Sequence, residues 1–395
     1  MLRPFYSLFE RNGSPAAVIS GREVALTHRN ASLTSRKLAP SRGRGGHKAA
    51  GTDPADRRCA VQTALEGDGP PLEFLRVAAE GTERSRPDSA VFSPTCGTVA
   101  ADNGGGTPPA EATPHIVNAM TVDVEDYFQV SAFSQTVSVE DWGRLQHRVI
   151  ANTQAVLELL DESKSFATFF VLGWIAERYP GLVRQIAESG HEIASHGYAH
   201  RRVGEQSPGE FLEDVSRTKK LLEDASGVAI KGYRAASFSL DSSMTWAYEA
   251  LATAGYDYSS SVYPIRHDHY GAPDAPRRPF SPSADIGIIE LPLTTARILK
   301  RNFPCAGGGY FRLLPYPLSA WALRRVNAKE CAPGIFYFHP WEIDPGQPRM
   351  RPCSVRTRAR HYLNLARMRG KLRRLLAEFR WDRMDRVYGS RGTNP

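Results

Sequence analysis

A chain of 395 residues with 41% hydrophobic residues can bury a sizeable core, as two ordinary domains or as one barrel with extensions. It has no run of 18 apolar residues, which argues against a spanning helix, and its start lacks the basic, apolar, small-residue order of a secretory leader. The net charge of +8 resides in the tail: residues 354–395 hold 12 Lys/Arg against 3 Asp/Glu, a net of +9, and the rest sums to −1, so the body has no global field for nucleic acid.

Residues 1–114 are rich in Gly, Pro, Ser, Ala and Arg and hold 5 of the 38 aromatic residues and no Trp. Such a segment buries too little surface to offset its ordering entropy. It is expected to be disordered, or to precede the native start. From residue 115 strand-like and helical runs alternate. Ile116–Val122 reads as a strand, and His147–Asp161 as a helix through Val149, Val156 and Leu160. Ala167–Leu172 reads as a buried strand, Ile175–Glu188 as a helix closed by Gly190, and Glu192–Ala194 as a short strand. Ser207-Pro208-Gly209-Glu210 is a capping-box start with Pro at the first helical position. Ala229–Tyr233 reads as a strand and Ser242–Ala254 as a helix. Residues 262–335 are richer in Pro and Gly, and Gly307-Gly308-Gly309 reads as a flexible turn, since no Gly-Lys-Ser/Thr follows. In the tail, Leu365, Met368, Leu372, Leu375 and Phe379 share one helical face. The favoured reading packs that face on the body; the alternative is contact with an anionic membrane surface or polysaccharide. Five scattered cysteines, none in a Cys-x-x-Cys pair, indicate neither a zinc knuckle nor a disulfide framework, and point to a reducing, cytoplasmic setting.

Strands alternating with helices imply a parallel sheet. In a closed parallel barrel the catalytic groups gather at the C-terminal strand ends. Asp123, His196, Arg234 and His339 each follow a strand-like run, so they are expected to converge on one rim. Asp123, Glu125 and Asp126 offer carboxylates, and His196 and His200 offer imidazoles at metal-ligand spacing. Such donors suit a divalent transition metal, which activates water for hydrolysis.

The wider sequence resembles the polysaccharide deacetylase family, of the NodB-homology or carbohydrate esterase type, across about residues 117–345. Five stretches carry the resemblance: Thr121-Val122-Asp123 with Glu125 and Asp126; His196-Gly197-Tyr198-Ala199-His200; Gly232-Tyr233-Arg234-Ala235-Ala236-Ser237-Phe238; Tyr256-Asp257-Tyr258-Ser259-Ser260-Ser261; and Phe336-Tyr337-Phe338-His339-Pro340-Trp341-Glu342. Asp123-Val124-Glu125-Asp126-Tyr127-Phe128, Ser261-Val262-Tyr263-Pro264 and His339-Pro340-Trp341-Glu342 look like deacetylases of exopolysaccharide loci linked to exosortase/PEP-CTERM sorting.

The resemblance implies an α/β fold, an irregular, TIM-like barrel of about seven parallel strands over residues 115–353, followed by the basic helix of residues 354–395. It implies removal of acetyl groups from an N-acetylated polysaccharide or oligosaccharide. One divalent metal, zinc first and Co, Ni, Mn or Fe as others, would be held by His196, His200 and Asp126, with Glu125 as the alternative acid. Asp123 would act as base, Arg234 would orient it, His339 would be the acid, and Asp257 the acidic neighbour of His339. Tyr127, Tyr263 and Trp341 are candidates for lining the sugar site. Three rival readings are a silent glycan-binding relative, a hydrolase of another C–N amide, and nucleic-acid binding through the tail. Retention of all five chemical positions disfavours the first, and the tail lacks the interleaved aromatics of the last.

Overall fold

The computed structural model describes residues 116–389, apart from Ser242, Asp268, His269 and Pro352. The expectation for residues 1–114 lies outside them. The first strand, β1 (Val117–Val124), is buried at every residue but the first. It is followed by α1 (Val149–Glu162), β2 (Thr168–Val171), α2 (Gly173–Arg178), α3 (Pro180–Glu188) and β3 (Glu192–Ser195). All four residues of β2 and of β3 are buried, as expected of strands covered on both faces. The helix expected over Ile175–Glu188 is two helices. Pro180 lacks an N–H and cannot continue α2, so the chain breaks at Tyr179 and Pro180 opens α3.

Next come α4 (Pro208–Ser226), β4 (Gly232–Tyr233), α5 (Thr245–Thr253), β5 (Tyr258–Ser259) and β6 (Ile289–Glu290). The Ser207/Glu210 capping box forms, and Gly227, at φ 73°, ends α4 in the left-handed conformation that glycine adopts without cost. An antiparallel hairpin, β7 (Thr295–Ile298) and β8 (Arg301–Pro304), stands apart from the main sheet. Then follow α6 (Gly308–Leu313), α7 (Tyr316–Glu330) and β9 (Ile335–Phe338). The glycine run is thus the start of a helix and no flexible turn. Gly307 faces the Tyr337 ring where a Cβ would not fit.

The tail expected as one helix is four elements: α8 (Val355–Tyr362), α9 (Leu365–Glu378), β10 (Arg380–Asp382) and α10 (Met384–Gly389). Leu365, Met368, Leu372 and Leu375 are buried along α9, and Phe379 falls just beyond it. Among the described residues no helix is long and apolar enough to cross a membrane.

Seven parallel strands, in the order β9-β1-β2-β3-β4-β5-β6, curl into a half-barrel, and β10 adds a further parallel pairing to the start of β1. Register places Asp123 beside Phe170, Val171 beside Ser195, and Ser195 beside Tyr233. Parallel strands in register bring their C-terminal ends to one rim.

Candidate active site

Residues 123 and 125 are two apart at the end of β1, so their side chains share a face, and Asp126 turns the other way. Asp123 accepts from Arg234 Nη1 at 2.6 Å. Arg234 is fully buried, and the rest of its fork is engaged: Nη1 reaches Thr121 Oγ1 at 2.8 Å, and Nε and Nη2 reach Ser260 O and Oγ, each at 3.0 Å. Its guanidinium also stacks 4.0 Å from the Phe170 ring centre. A planar cation so held fixes one carboxylate oxygen, and Asp123 Oδ2 is left 4.0 Å from His339 Nε2.

His196 Nδ1 donates to Arg234 O at 2.9 Å, which leaves Nε2 as the ligand atom. His200 lies in the left-handed region at φ 53°, a backbone position that persists only where surroundings over-determine it. Its Nε2 sits 3.3 Å from Glu125 Oε2, and its Nδ1 is 3.4 Å from Ser131 Oγ. Ligand atoms of Glu125, His196 and His200 all lie within 4.8 Å of one another.

This trio fits a divalent cation on two observations. Glu125 Oε2 is buried without a hydrogen-bond partner, an arrangement that a cation resolves. Burial holds both imidazoles below their ordinary value, hence neutral and able to ligate. Burial also pushes the Glu125 carboxyl up to about 7, with His339 opposing and Asp123 and Glu342 adding to the rise.

His339 follows β9. Its Nδ1 donates to Glu342 Oε1 at 2.8 Å, and its Nε2 lies 3.2 Å from Glu125 Oε1. Burial alone would lower its pKa, but Glu125, Glu342 and Asp123 together raise it to about 9. Glu342 goes the other way: burial would raise it, and Arg312 and His339 hold it down at about 2. Glu342 was not expected as a site residue, although it stands three residues after His339 with Pro340 between, the spacing of a capping box that the structure forms.

Several expected positions move. Asp126 is not among the converging ligands. Its oxygens accept the backbone N–H groups of Tyr127 at 2.9 Å, Arg148 at 2.7 Å and Val149 at 3.0 Å, so it caps the start of α1, and Glu125 is the acid that faces the two histidines. Asp257 precedes β5 and lies at the opposite strand end from His339. It pairs with Lys231 at 3.5 Å and lines a cavity of about 1160 Å³ shared with Glu192, Arg277 and Arg383. The residues that follow β5, Ser260 and Ser261, are the ones that meet the Arg234 loop. Tyr127 and Tyr263 are core: Tyr127 packs edge-on against Phe128, and Tyr263 stacks on Tyr270, both fully buried. Trp341 is also buried. Its indole N–H points to Glu125 Oε1 at 3.4 Å, and its ring lies between His339 and His361.

Residues 146–258 match the family model described as "Polysaccharide deacetylase". The chain carries a polysaccharide deacetylase domain. The region after it, residues 260–389, matches a model described as "Domain of unknown function (DUF3473)". A peptidoglycan-N-acetylglucosamine deacetylase of Bacillus cereus is 33% identical over 98 residues, 25% of this chain and 36% of that protein. A chitooligosaccharide deacetylase of Bradyrhizobium sp. is 28% identical over 102 residues, 26% of this chain and 44% of that protein. The match thus spans less than half the length of these curated relatives. A family 4 carbohydrate esterase from Streptomyces lividans, solved in complex with acetate, superposes with a TM-score of 0.36 at 15% identity, over 67% of this chain and 91% of that one. The deacetylase match contains His196, His200 and Arg234. Asp123 and Glu125 precede it, and His339 lies in the region of unknown function.

Proposed function

We propose that this chain is a metal-dependent hydrolase that removes acetyl groups from N-acetylated sugars of a bacterial polysaccharide. One observation carries the reading. An Arg-held carboxylate, a Glu–His–His trio and a buried histidine meet at a single rim of a deacetylase domain. A divalent cation on Glu125, His196 and His200, zinc first by its preference for such donors, supplies Lewis-acid polarisation and a more acidic water. Asp123, through the oxygen not engaged by Arg234, takes the proton of the attacking water. Arg234 keeps Asp123 ionised and aimed, since a neighbouring cation favours the charged form. His339 gives a proton to the leaving amine, and Glu342 fixes its tautomer by accepting from Nδ1. Trp341 positions rather than binds sugar, because both of its faces are already stacked.

The polymer we infer is an exopolysaccharide, on the wording of Asp123–Phe128 and His339–Glu342. The catalytic unit proposed over residues 115–353 is built together with residues 354–395. β10 pairs with β1, and His361 stacks on Trp341 at 4.2 Å. The test is acetate release from N-acetylated glycans by purified protein with and without chelator, alongside Asp123→Asn. Asp123→Asn should keep its metal and lose roughly 10²–10⁴-fold in turnover, the scale of general-base loss. Acetate release that is indifferent to chelator would overturn the metal-dependent reading, as would no release from any such glycan.

A further inference from the structure

Arg312 sits in α6, five residues after the start of the glycine run and 27 residues before His339. It is buried, and nearly all its donors are committed. Nε donates to Glu342 Oε2 at 2.6 Å. Nη1 donates to His361 O at 2.9 Å and Leu363 O at 2.8 Å, and Nη2 to Arg360 O at 3.1 Å. Those carbonyls end α8, where unsatisfied acceptors and the negative end of the helix dipole favour a cation. Its own carbonyl accepts from Asn364 Nδ2 at 3.0 Å and Lys371 Nζ at 3.2 Å. On the far side, Gly308 lies against the Glu342 carboxylate so closely that a Cβ there would collide with both oxygens. Glu342 is therefore clamped between a glycine backbone and a guanidinium. Its free choice of position is gone, and its Oε1 meets both His339 Nδ1 and the His339 N–H, at 2.8 and 3.1 Å.

We propose that Arg312 is the positioning residue for the acid His339, acting through Glu342, and that the region of unknown function serves the deacetylase domain by building this clamp. The inference rests on the deacetylase reading above. Its chemistry is narrow. The leaving amine must receive a proton from His339 Nε2 as the C–N bond breaks, and that transfer needs the ring held with Nδ1–H on a fixed acceptor. A buried carboxylate that loses its cation is left uncompensated and relaxes away or takes up a proton, so the acceptor is lost.

The experiment compares two substrates. An N-acetylated chitooligosaccharide requires a protonated leaving group, whereas 4-nitrophenyl acetate releases a phenolate that leaves unaided. Arg312→Met and Glu342→Gln should each lower turnover on the amide roughly 10²-fold or more, leave KM and bound metal unchanged, and change ester hydrolysis by less than about threefold. Arg312→Lys should restore part of the amide activity, since it keeps the charge but lacks the fork that reaches three carbonyls. A second measurement does not depend on turnover. Proton NMR of the metal-loaded wild type should show a hydrogen-bonded His339 Nδ1–H resonance far downfield, absent in Glu342→Gln and in Arg312→Met. Amide and ester activities that fall by one common factor, or a His339 resonance unmoved in both variants, would overturn the proposal. Should Arg312→Met fail to fold, Arg312→Lys decides it by the same comparison: amide turnover below wild type with ester hydrolysis held supports the clamp, and a common loss on both substrates overturns it. A wild type inactive on every N-acetylated glycan sinks the deacetylase reading instead, and the resonance still tests the clamp.

Discussion

Glu125 and Glu192 stand at opposite ends of the same parallel sheet, one just past the C-terminal end of β1 and the other at the first residue of β3. Both are buried and both have a raised carboxyl pKa, with burial the largest cause. Their partners differ. Glu192 accepts from Thr168 Oγ1 at 2.5 Å, Tyr258 Oη at 2.9 Å and the Asp385 N–H at 3.2 Å. Glu125 Oε1 has a long contact to the Trp341 indole and lies 3.2 Å from His339 Nε2, whereas its Oε2 accepts no hydrogen bond, yet two neutral imidazoles face the same point. Neutral donors complete one carboxyl as part of the fold. The other is left incomplete, and only a cation suits what remains. A perturbed carboxyl is therefore not by itself a sign of chemistry. What distinguishes a site is which lone pairs the fold leaves unanswered.

The sharpest way to break this contrast is to neutralise each glutamate. Glu125→Gln should abolish bound divalent metal and cost several kcal/mol of transition-state stabilisation, hence roughly 10³-fold or more in turnover. His200→Ala should do the same. Glu192→Gln should keep full metal occupancy and activity. Elemental analysis of the three proteins checks this, and full occupancy in Glu125→Gln would remove Glu125 from the ligand set.

A smaller effect separates Glu125 from its neighbour Asp126. Asp126 answers three backbone N–H groups, two of them at the start of α1. Asp126→Ala should cost about 2 kcal/mol of folding stability, the scale of a lost cap with buried donors left unpaired, while metal stays bound. Denaturant unfolding combined with metal analysis reads both. Metal loss matching that of Glu125→Gln would return Asp126 to the ligand shell.

These two carboxylates also show where legibility in the sequence ended. The alternating strands and helices and the convergence of Asp123, His196, Arg234 and His339 on one rim could be read because each of these residues follows an apolar run, and burial of such runs is a local property; His200 was legible only by its spacing from His196. Whether Glu125 or Asp126 faces the histidines depends on which way the chain turns one residue past a strand, and no local pattern states that. Asp257 was misplaced for a related reason. β5 is only Tyr258–Ser259, so the acid lies before the strand and not after it. Arg312 and Glu342 were out of reach, because their pairing at 2.6 Å joins residues 30 apart through the fold. The fifteen-residue α7 lies in the stretch read only as rich in Pro and Gly, and its Pro315 and Pro317 occupy helix-start positions that tolerate proline.

The faintest expected effect tests the structural half of the comparison. In the unfolded chain Glu192 titrates near the ordinary 4.5, and in the fold it holds its proton to higher pH because burial, and then the Asp385 carboxylate, disfavour the charge. Between that value and neutrality the folded state therefore binds the extra proton, so this group's contribution to wild-type stability falls as pH rises through the window. Glutamine has no proton to lose, and Tyr258 and Thr168 carry hydroxyls that can turn to suit an amide. The stability difference between Glu192→Gln and wild type should be flat below about pH 4.5 and should move toward the variant by roughly 1–2 kcal/mol as pH approaches 7. Urea unfolding at closely spaced pH values measures it. A difference that moves toward the wild type over the same range would mean that the three donors hold Glu192 as a carboxylate in the fold. The two glutamates would then differ in charge state as well as in partners.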